Sequence, residues 1–517
     1  EEFLDFHRRY YHPSNSFIYL YGNMDMEEKL EFIDSHYLSA FDSLEIDSEI
    51  QNQEAFEAVK DIQKNYPIAE NEGEEDNTYL SYNMVVGEAA DINLSLAFEV
   101  LDYALLSAPG APLKQALLDA KIGKDIYGSF EDGIKQTYFS IVAKGANLSQ
   151  KEEFVKVIRD TLTKIAEEGI DKKAVTAGIN YYEFRFREAD FSSYPKGLMY
   201  GLDILSSWLY DDQKPFCEVQ LLEGFAFLKK AREEGYFEEL IRKYLLDNTH
   251  GSVLSLVPER GLAAKRDKEL EEKLENYRNS LSDEKLEEMV ERTKALEAYQ
   301  EAEEDPEALT CIPMLSREDI KKEITGLTNE EHFVDDSLFL YHDVCTNGIG
   351  YADLLFEIHD FDVNTVHYLG LLKSVLGAVD TENYSYGELF NEVNARTGGI
   401  AYGIEVFDNA ADTDAFRAMF AVRGKALYPE MKFMFDMIRE VLTTSKLEDT
   451  KRLYEIIARV KSRAQANLVS AGHSTAVLRG AAYASPMAAF QDEMAGIGYY
   501  QFIEKLEKDF DTCKDEI

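Results

Sequence analysis

Apolar residues in the middle of the chain recur at helical steps twice in succession. Leu270, Leu274, Tyr277 and Leu281 stand three and four apart, and Leu286, Met289, Val290, Leu296 and Tyr299 repeat the stripe after a break. That pattern predicts two amphipathic helices back to back. Ser282 between them is a natural N-cap, and Asp283 and Glu284 put negative charge in the first turn, where the helix dipole favours it. Leu262–Asp305 therefore reads as a helical hairpin ended by Pro306 and Pro313, with Ser316 and Asp319 offering the next helix start. Its many Glu and Lys read as a solvated face.

On either side, helical and strand periods interleave. Phe3–Tyr11 reads as a helix, Pro13–Asn15 as a turn, Phe17–Tyr21 as a short apolar strand and Met26–Phe41 as a helix. Next come a strand at Tyr79–Val86, helices at Leu94–Leu106 and Leu113–Ala120, and strands at Ile126–Phe130 and Tyr138–Lys144. Helices at Lys151–Glu168, Asp171–Glu188 and Phe237–Leu246 and a strand at Val253–Val257 complete that run. After the hairpin the order returns: strands Leu338–Leu340 and Tyr351–His359, helices Asn364–Leu376 and Tyr386–Asn394, strands Tyr402–Phe407 and Met419–Lys425, helices Met431–Leu442 and Leu447–Leu468. Tyr127-Gly128 is echoed by Tyr402-Gly403, Phe139–Lys144 by Phe420–Lys425, and Gly224–Leu228 by Gly498–Ile503. Echoes in one order imply a duplicated α/β unit. A lone apolar strand would leave its N–H and C=O groups unpaired, so Phe17–Tyr21 is expected in a sheet: that of the later unit, of another chain, or of the earlier unit.

Composition narrows the class. With 517 residues, 45% hydrophobic and 29% charged, the chain is globular and multidomain. It has no run of eighteen apolar residues to span a membrane. A net charge of −44 argues against a nucleic-acid surface and is compatible with basic ligands or with simple solubility. Cys217, Cys311, Cys345 and Cys513 form no C-x-x-C pair, so neither a disulfide scaffold nor a thiolate zinc site is signalled, and a reducing compartment, cytoplasm or organelle matrix, is expected. The opening Glu-Glu-Phe-Leu carries no initiator Met, signal peptide or transit segment, which reads as a removed targeting piece or a fragment.

Catalytic motifs are missing. No two of the nine histidines are four apart, so neither H-E-x-x-H nor H-x-x-E-H occurs. His7 and His12 are five apart, a spacing without ligand logic, and Glu330-Glu331-His332 with Asp335-Asp336 reads as a solvated acidic loop. There is no G-x-S-x-G elbow, Walker loop or G-x-G-x-x-G fingerprint, and Gly398-Gly399 reads as a helix stop. The run Glu183–Asp190 mixes acids and arginines at helix spacing, read as ion pairs along a helix. No catalytic, substrate-binding or metal residue is assigned.

The opening Phe6-His-Arg-Arg-Tyr-Tyr-His-Pro-Ser-Asn-Ser-Phe-Ile-Tyr-Leu-Tyr-Gly-Asn23 closely resembles the segment that closes the first unit of insulinase-like (pitrilysin-family) zinc peptidases, in the presequence-protease branch. Ser107–Leu113, Arg187–Phe191, Tyr194–Leu198 and Asn394–Ile400 resemble the same branch, in the family's order. The resemblance implies an α+β fold of repeated α/β units joined by a helical hairpin and enclosing a chamber. On it, 1–45 ends the first, catalytic-type unit, 46–258 is the second unit, 259–330 the hairpin linker, and 331–517 an incomplete third unit. The family's zinc ligands and base Glu lie on an H-x-x-E-H and a distal Glu of the first unit, and none is in this sequence. Arg396 and Tyr402 mimic the spacing of a fourth-unit Arg and Tyr, but their context is the third unit, so no role is transferred. The implied function is the non-zinc portion of a peptide-degrading zinc metalloendopeptidase, with zinc held by residues outside this chain. Its partners would be peptide substrates, for which the charge of −44 suggests a basic preference, and the N-terminal zinc unit and C-terminal unit of the same protein, with no nucleic acid or membrane. The alternative is a non-catalytic binding or chamber subunit that partners a zinc-bearing chain.

Overall fold

The computed structural model describes every residue except 109, 313, 321, 324–325, 327, 360–364, 413 and 515–517. The expected helix stop at Pro313, the helix start at Asn364 and Pro109 of the string Ser107–Leu113 lie outside the described residues. The chain divides into two compact units, one of 1–62, 79–255 and 346–517, the other of 63–78 and 256–345.

Helices α1 (Glu2–Tyr10) and α2 (Met26–His36) of the larger unit precede strands β1 (Lys60–Ile68), which from residue 63 on belongs to the smaller unit, and β2 (Thr78–Glu88). Then follow α3 (Ile92–Asp102), α4 (Pro112–Asp119), β3 (Asp125–Glu131), β4 (Gln136–Ala146), α5 (Lys151–Glu168), α6 (Lys172–Glu188), α7 (Lys196–Trp208), α8 (Leu222–Ala231), α9 (Tyr236–Leu240) and β5 (Gly251–Arg260). The sheet order is β1-β5-β2-β4-β3. Leu80, Tyr82, Met84 and Val86 of β2 are at most 2% exposed and alternate with half-buried residues, so one sheet face is sealed by helices. Phe98, Leu101, Phe154, Ile158, Val175, Phe225 and Phe237 complete that core.

The smaller unit holds α10 (Leu262–Ser280) and α11 (Asp283–Glu301), with Ser282 Oγ accepting from Lys285 N at 3.3 Å as the N-cap. It also holds α12 (Pro306–Leu309) and a two-stranded sheet of β6 (Glu330–Val334) and β7 (Ser337–Tyr341). The acidic stretch expected as a loop is this hairpin, in which Asp335 takes the positive φ that a two-residue turn requires. The helices stand where the periodicity puts them, yet Leu270, Leu274, Tyr277, Leu296 and Tyr299 are all more than half exposed.

Returning to the larger unit, β8 (Ile349–Glu357), α13 (Val366–Val375), α14 (Tyr386–Arg396), β9 (Ile400–Asp408), β10 (Phe416–Leu427) and α15 (Met431–Thr444) repeat the order β2 to α5. Helices α16 (Thr450–Ser470), α17 (Gly472–Ala481), α18 (Pro486–Ala495), α19 (Ile497–Lys508) and α20 (Phe510–Cys513) follow. Its sheet order is β8-β10-β9, matching β2-β4-β3. The registers refine the echoes. Phe139 pairs with Phe130 and Phe420 with Ile404, and both phenylalanines are buried, so that echo is structural. Tyr127-Gly128 against Tyr402-Gly403 is not, because Tyr127 is exposed while Tyr402 packs on the core of its own copy. The residue facing inward beside Ile141 is Gly128, as Tyr402 is beside Val422; the string match is one residue out, which in a strand exchanges the two faces.

Phe17–Tyr21 corrects the expectation of a sheet strand. It belongs to no described ladder. Its alternate side chains instead lie along α7: Phe17 meets Trp208 edge-on at 4.6 Å between centroids, Tyr19 covers Gly201, and Tyr21 covers Gly197 and contacts Tyr200. A Cβ on Gly201 would stand 2.9 Å from the Tyr19 ring, and one on Gly197 would overlap Tyr21. The two glycines are one helical turn apart, so they open a groove on one face of α7 for the aromatic strap. Replacing Gly201 with Leu should therefore cost about 1–3 kcal/mol by overpacking and expose residues 1–45 to limited proteolysis. Gly387→Ala in α14, where a Cβ meets nothing within 4 Å, is the control. Equal protease resistance of both variants would contradict the strap.

Candidate functional site

Helix α6 is where the two copies meet. Ala174, Val175 and Ile179 are buried on its core side, and Gly178 lets Tyr103 approach. On the other side Asn180 Nδ2 donates to Ala395 O at the end of α14, and Gly398 leaves room for the Phe184 ring. At the helix end Glu188 accepts two bonds from Lys425 Nζ, at 2.8 and 2.6 Å, and one from Tyr351 OH at 2.9 Å. Glu183 accepts from Arg187 Nε and Nη2 at 2.9 and 2.7 Å and from Lys229 Nζ. Burial works against that carboxylate, but Lys229 and Arg187 hold it below its usual range. The mixed-charge run is an ion-pair network that reaches beyond its own helix.

The unusual chemistry lies beside the same helix. Glu99 of α3 feels the charges of Asp102 on the same helix, of Asp132 in the β3–β4 turn and of Glu218 just before α8, Glu218 feels Asp132 and Asp203 of α7, and Asp203 feels Asp132, with Arg185 of α6 the cation near Glu99 and Asp203. All five carboxylates are partly buried. Burial, then the charges of Asp132 and Glu218, push Glu99 up to about 8, against the pull of Arg185. Burial, then Asp132 and Asp203, bring Glu218 to about 8. Burial also raises Asp132, Asp203 and Asp102. Asp102 Oδ2 accepts from Ser107 Oγ at 2.9 Å, while its Oδ1 is buried with no protein partner. Burial and the charges of Glu99 and Asp102 raise the Tyr182 phenol as well. Like charges in poorly solvated surroundings favour either protons or an incoming cation.

None of these acids stood out in the sequence, being scattered from 99 to 218; the available signal was Glu99 and Asp102 interrupting an otherwise apolar helix. Candidates that did stand out do not converge. His7 stacks on Tyr11, and His12 Nδ1 accepts from Ser14 N at 3.1 Å. His332 lies on β6, 3.4 Å from Glu330. Arg396 Nε donates to Glu430 at 2.8 Å and its guanidinium lies over Phe433, whereas Tyr402 is turned into the core of its copy. Among the described residues no group of three or more His, Cys, Asp or Glu could hold a metal ion, and no helix is long and apolar enough to cross a membrane.

Residues 1–182 match the family model of the peptidase M16 inactive domain, and residues 256–506 match the model of the associated region of subfamily C of the same peptidase family. The chain is 40% identical over 509 residues to Protein HypA of Clostridium perfringens, covering 98% of this chain and 52% of that protein. It is 30% identical over 519 residues to Presequence protease 1, chloroplastic/mitochondrial, of Arabidopsis thaliana, covering 99% and 48%. The crystal structure of pitrilysin aligns over 98% of this chain and 51% of its own at a TM-score of 0.44 and 15% identity. The chain thus spans about half the length of the curated relatives it matches.

The carboxylate cluster has a consequence for stability. Folded, Glu99 and Glu218 keep protons up to about 8 that the unfolded chain gives up near the ordinary 4.5, so their contribution is full below about 4.5 and is lost as pH rises to about 8. Urea midpoints should therefore fall between pH 5 and pH 8, and Glu99→Gln with Glu218→Gln should flatten that slope and raise the midpoint at pH 8. Parallel pH profiles for the variant and the parent would refute the assignment.

Proposed function

The chain belongs to the M16 peptidase family, as a non-catalytic portion without the zinc motif, and from that premise we propose that it forms the non-zinc wall of a peptide-degrading zinc metalloendopeptidase. In this reading residues 1–45 end a first unit, 46–258 and 331–517 are the second and third, and 259–330 is the spacer that joins the halves. Zinc would be held by residues outside this chain and would supply the activated water. What this chain contributes is enclosure and a seat for substrate.

The observation that carries the reading is the cluster of partly buried carboxylates Glu99, Asp102, Asp132, Asp203 and Glu218 in a chain that lacks H-x-x-E-H. A Lys or Arg side chain entering it would relieve like-charge repulsion that Arg185 offsets only in part. The net charge of −44 would draw basic peptides toward it over distance. Four free cysteines suit a reducing compartment, cytoplasm or organelle matrix, and the Arabidopsis relative carries a chloroplastic and mitochondrial address in its name.

Two measurements test this. A Lys- and Arg-rich peptide should bind the chain, lose affinity steeply between about 50 and about 200 mM salt, and bind about tenfold more weakly to a variant carrying Glu99→Gln, Asp132→Asn and Glu218→Gln. Equal, salt-insensitive binding of an acidic peptide would overturn the basic-substrate assignment. Metal analysis of the purified chain should find no stoichiometric zinc and peptide assays no cleavage, whereas the full-length gene product should cleave in a chelator-sensitive way. One tight zinc per chain, lost on mutating histidines, would overturn the non-zinc assignment.

A further inference from the structure

Helices seal one face of the first sheet, and the half-buried face carries a pocket. Its floor is polar. Ser140 of β4, Asn83 of β2 and Ser252 of β5 make a row across three neighbouring strands, with Ser140 Oγ donating to Asn83 Oδ1 at 2.7 Å and Asn83 Nδ2 to Ser252 O at 3.4 Å. A second wall is the extended segment 50–56, and side chains fasten it. Lys135 Nζ donates to Ile50 O at 2.6 Å, Gln53 N to Gln136 Oε1 at 2.7 Å, Gln136 Nε2 back to Gln53 O at 3.1 Å, and Thr249 Oγ1 to Phe56 O at 2.7 Å. A side chain between two backbones sets them further apart than the roughly 4.8 Å of a strand ladder. The gap that remains is a cavity of about 510 Å³, within the range of roughly 300–1,000 Å³ that holds small ligands.

The lining combines rings with hydrogen-bonding groups that have nothing to bond. Phe56, Tyr138 and Tyr210 supply the rings. His250 lines the pocket as well, is only 8% exposed, and stands edge-on to Phe56 at 4.8 Å between centroids. Neither imidazole nitrogen, nor the hydroxyl of Tyr138 or Tyr210, has a hydrogen-bond partner among the described residues. Buried polar groups are ordinarily paired, so an unpaired imidazole on a cavity wall marks a place where a ligand group fits. Charge then narrows the ligand. The chain carries 98 Asp and Glu, yet none of the described residues that line this pocket is acidic, and its one lysine, Lys135, is engaged by Ile50 O and by Glu49 at 3.6 Å.

We propose that this pocket binds an uncharged aromatic residue flanked by peptide bonds, tyrosine above all. The ring packs offset or edge-on among Phe56, Tyr138 and Tyr210, the phenol bonds to His250, and the flanking amides meet Gln51 and Ser252. A basic side chain finds no carboxylate here to pair with, so this site and the carboxylate cluster select different residues. The proposal makes no assumption about the cluster or about zinc.

The test is titration of the purified chain with N-acetyltyrosine amide, N-acetylphenylalanine amide and N-acetyllysine amide, read by the imidazole Cε1–H signals of its nine histidines. One signal, missing from His250→Gln, should shift saturably with the tyrosine probe at a Kd of about 1 mM. The lysine probe should bind at least about fivefold more weakly, and Tyr210→Ala should weaken the tyrosine probe by a similar factor. Tyr483→Ala, which removes an exposed tyrosine beyond the end of α17, should leave its affinity unchanged. Since no charge pairing is involved, that affinity should also be the same at about 50 and about 200 mM salt. No saturable shift of the His250 signal up to about 10 mM probe would overturn the proposal. So would equal binding of the lysine probe, or an affinity that falls with salt, because the carboxylates would then be what holds it.

Discussion

Everything in the larger unit depends on one helix having three different surroundings. The sequence of α6 places small and aliphatic residues, Ala174, Val175 and Ile179, where the first core requires them, and Ala177, Asn180, Phe184 and Glu188 where the second copy meets it. Arg185 is left to face acids. The contact between copies joins an apolar cluster, Tyr103, Ala108, Ala111 and Ala177 against Phe390 and Ala395, to directional contacts: an amide on a helix-end carbonyl, a ring over a glycine, and a carboxylate that takes Lys425 and Tyr351 together. Removing Lys425 would leave Glu188, a well-buried carboxylate, short of its charge partner, and such unpaired charge costs more than the pair contributes.

The same packing explains why an acidic cluster persists so close to a well-filled core. Five carboxylates from four elements cannot all ionise in a partly desolvated space without a cation, so the fold accepts a local cost that stabilising mutation would readily remove. Tolerated strain of this kind marks a site under functional constraint more often than a structural one. Glu183 is the contrast, a carboxylate on the same helix whose two cations bring it below its usual range. Structural acids here are matched by cations; those of the cluster outnumber theirs.

Helices with strong apolar period were legible at nearly their true ends, as at Lys151–Glu168 and Asp283–Glu301, because cap and stripe agree there. Strand β1 was not legible: Lys60–Ile68 is mostly exposed and polar and ends beside a proline, as edge strands do. Phe17–Tyr21 carried the right period and the wrong partner, since alternation says that one face is buried and not whether a sheet or a helix covers it. The Tyr-Gly echo failed for a related reason: identity in a string is blind to which face a strand residue takes. Beyond those limits, the acidic cluster is a property of tertiary convergence, and five acids spread over four elements from 99 to 218 leave no motif to read.

Entry of a basic side chain among the crowded carboxylates is the centre of the proposed function. Such a cation must displace the protons that Glu99 and Glu218 hold near pH 7. Calorimetric titration of a Lys-rich peptide into the chain at pH 7, in buffers of different ionisation enthalpy, counts those protons directly. Net release of about one proton or more per peptide bound is the predicted result, abolished when Glu99 and Glu218 are both glutamine. Binding with no proton exchange, or release unchanged in that variant, would contradict it.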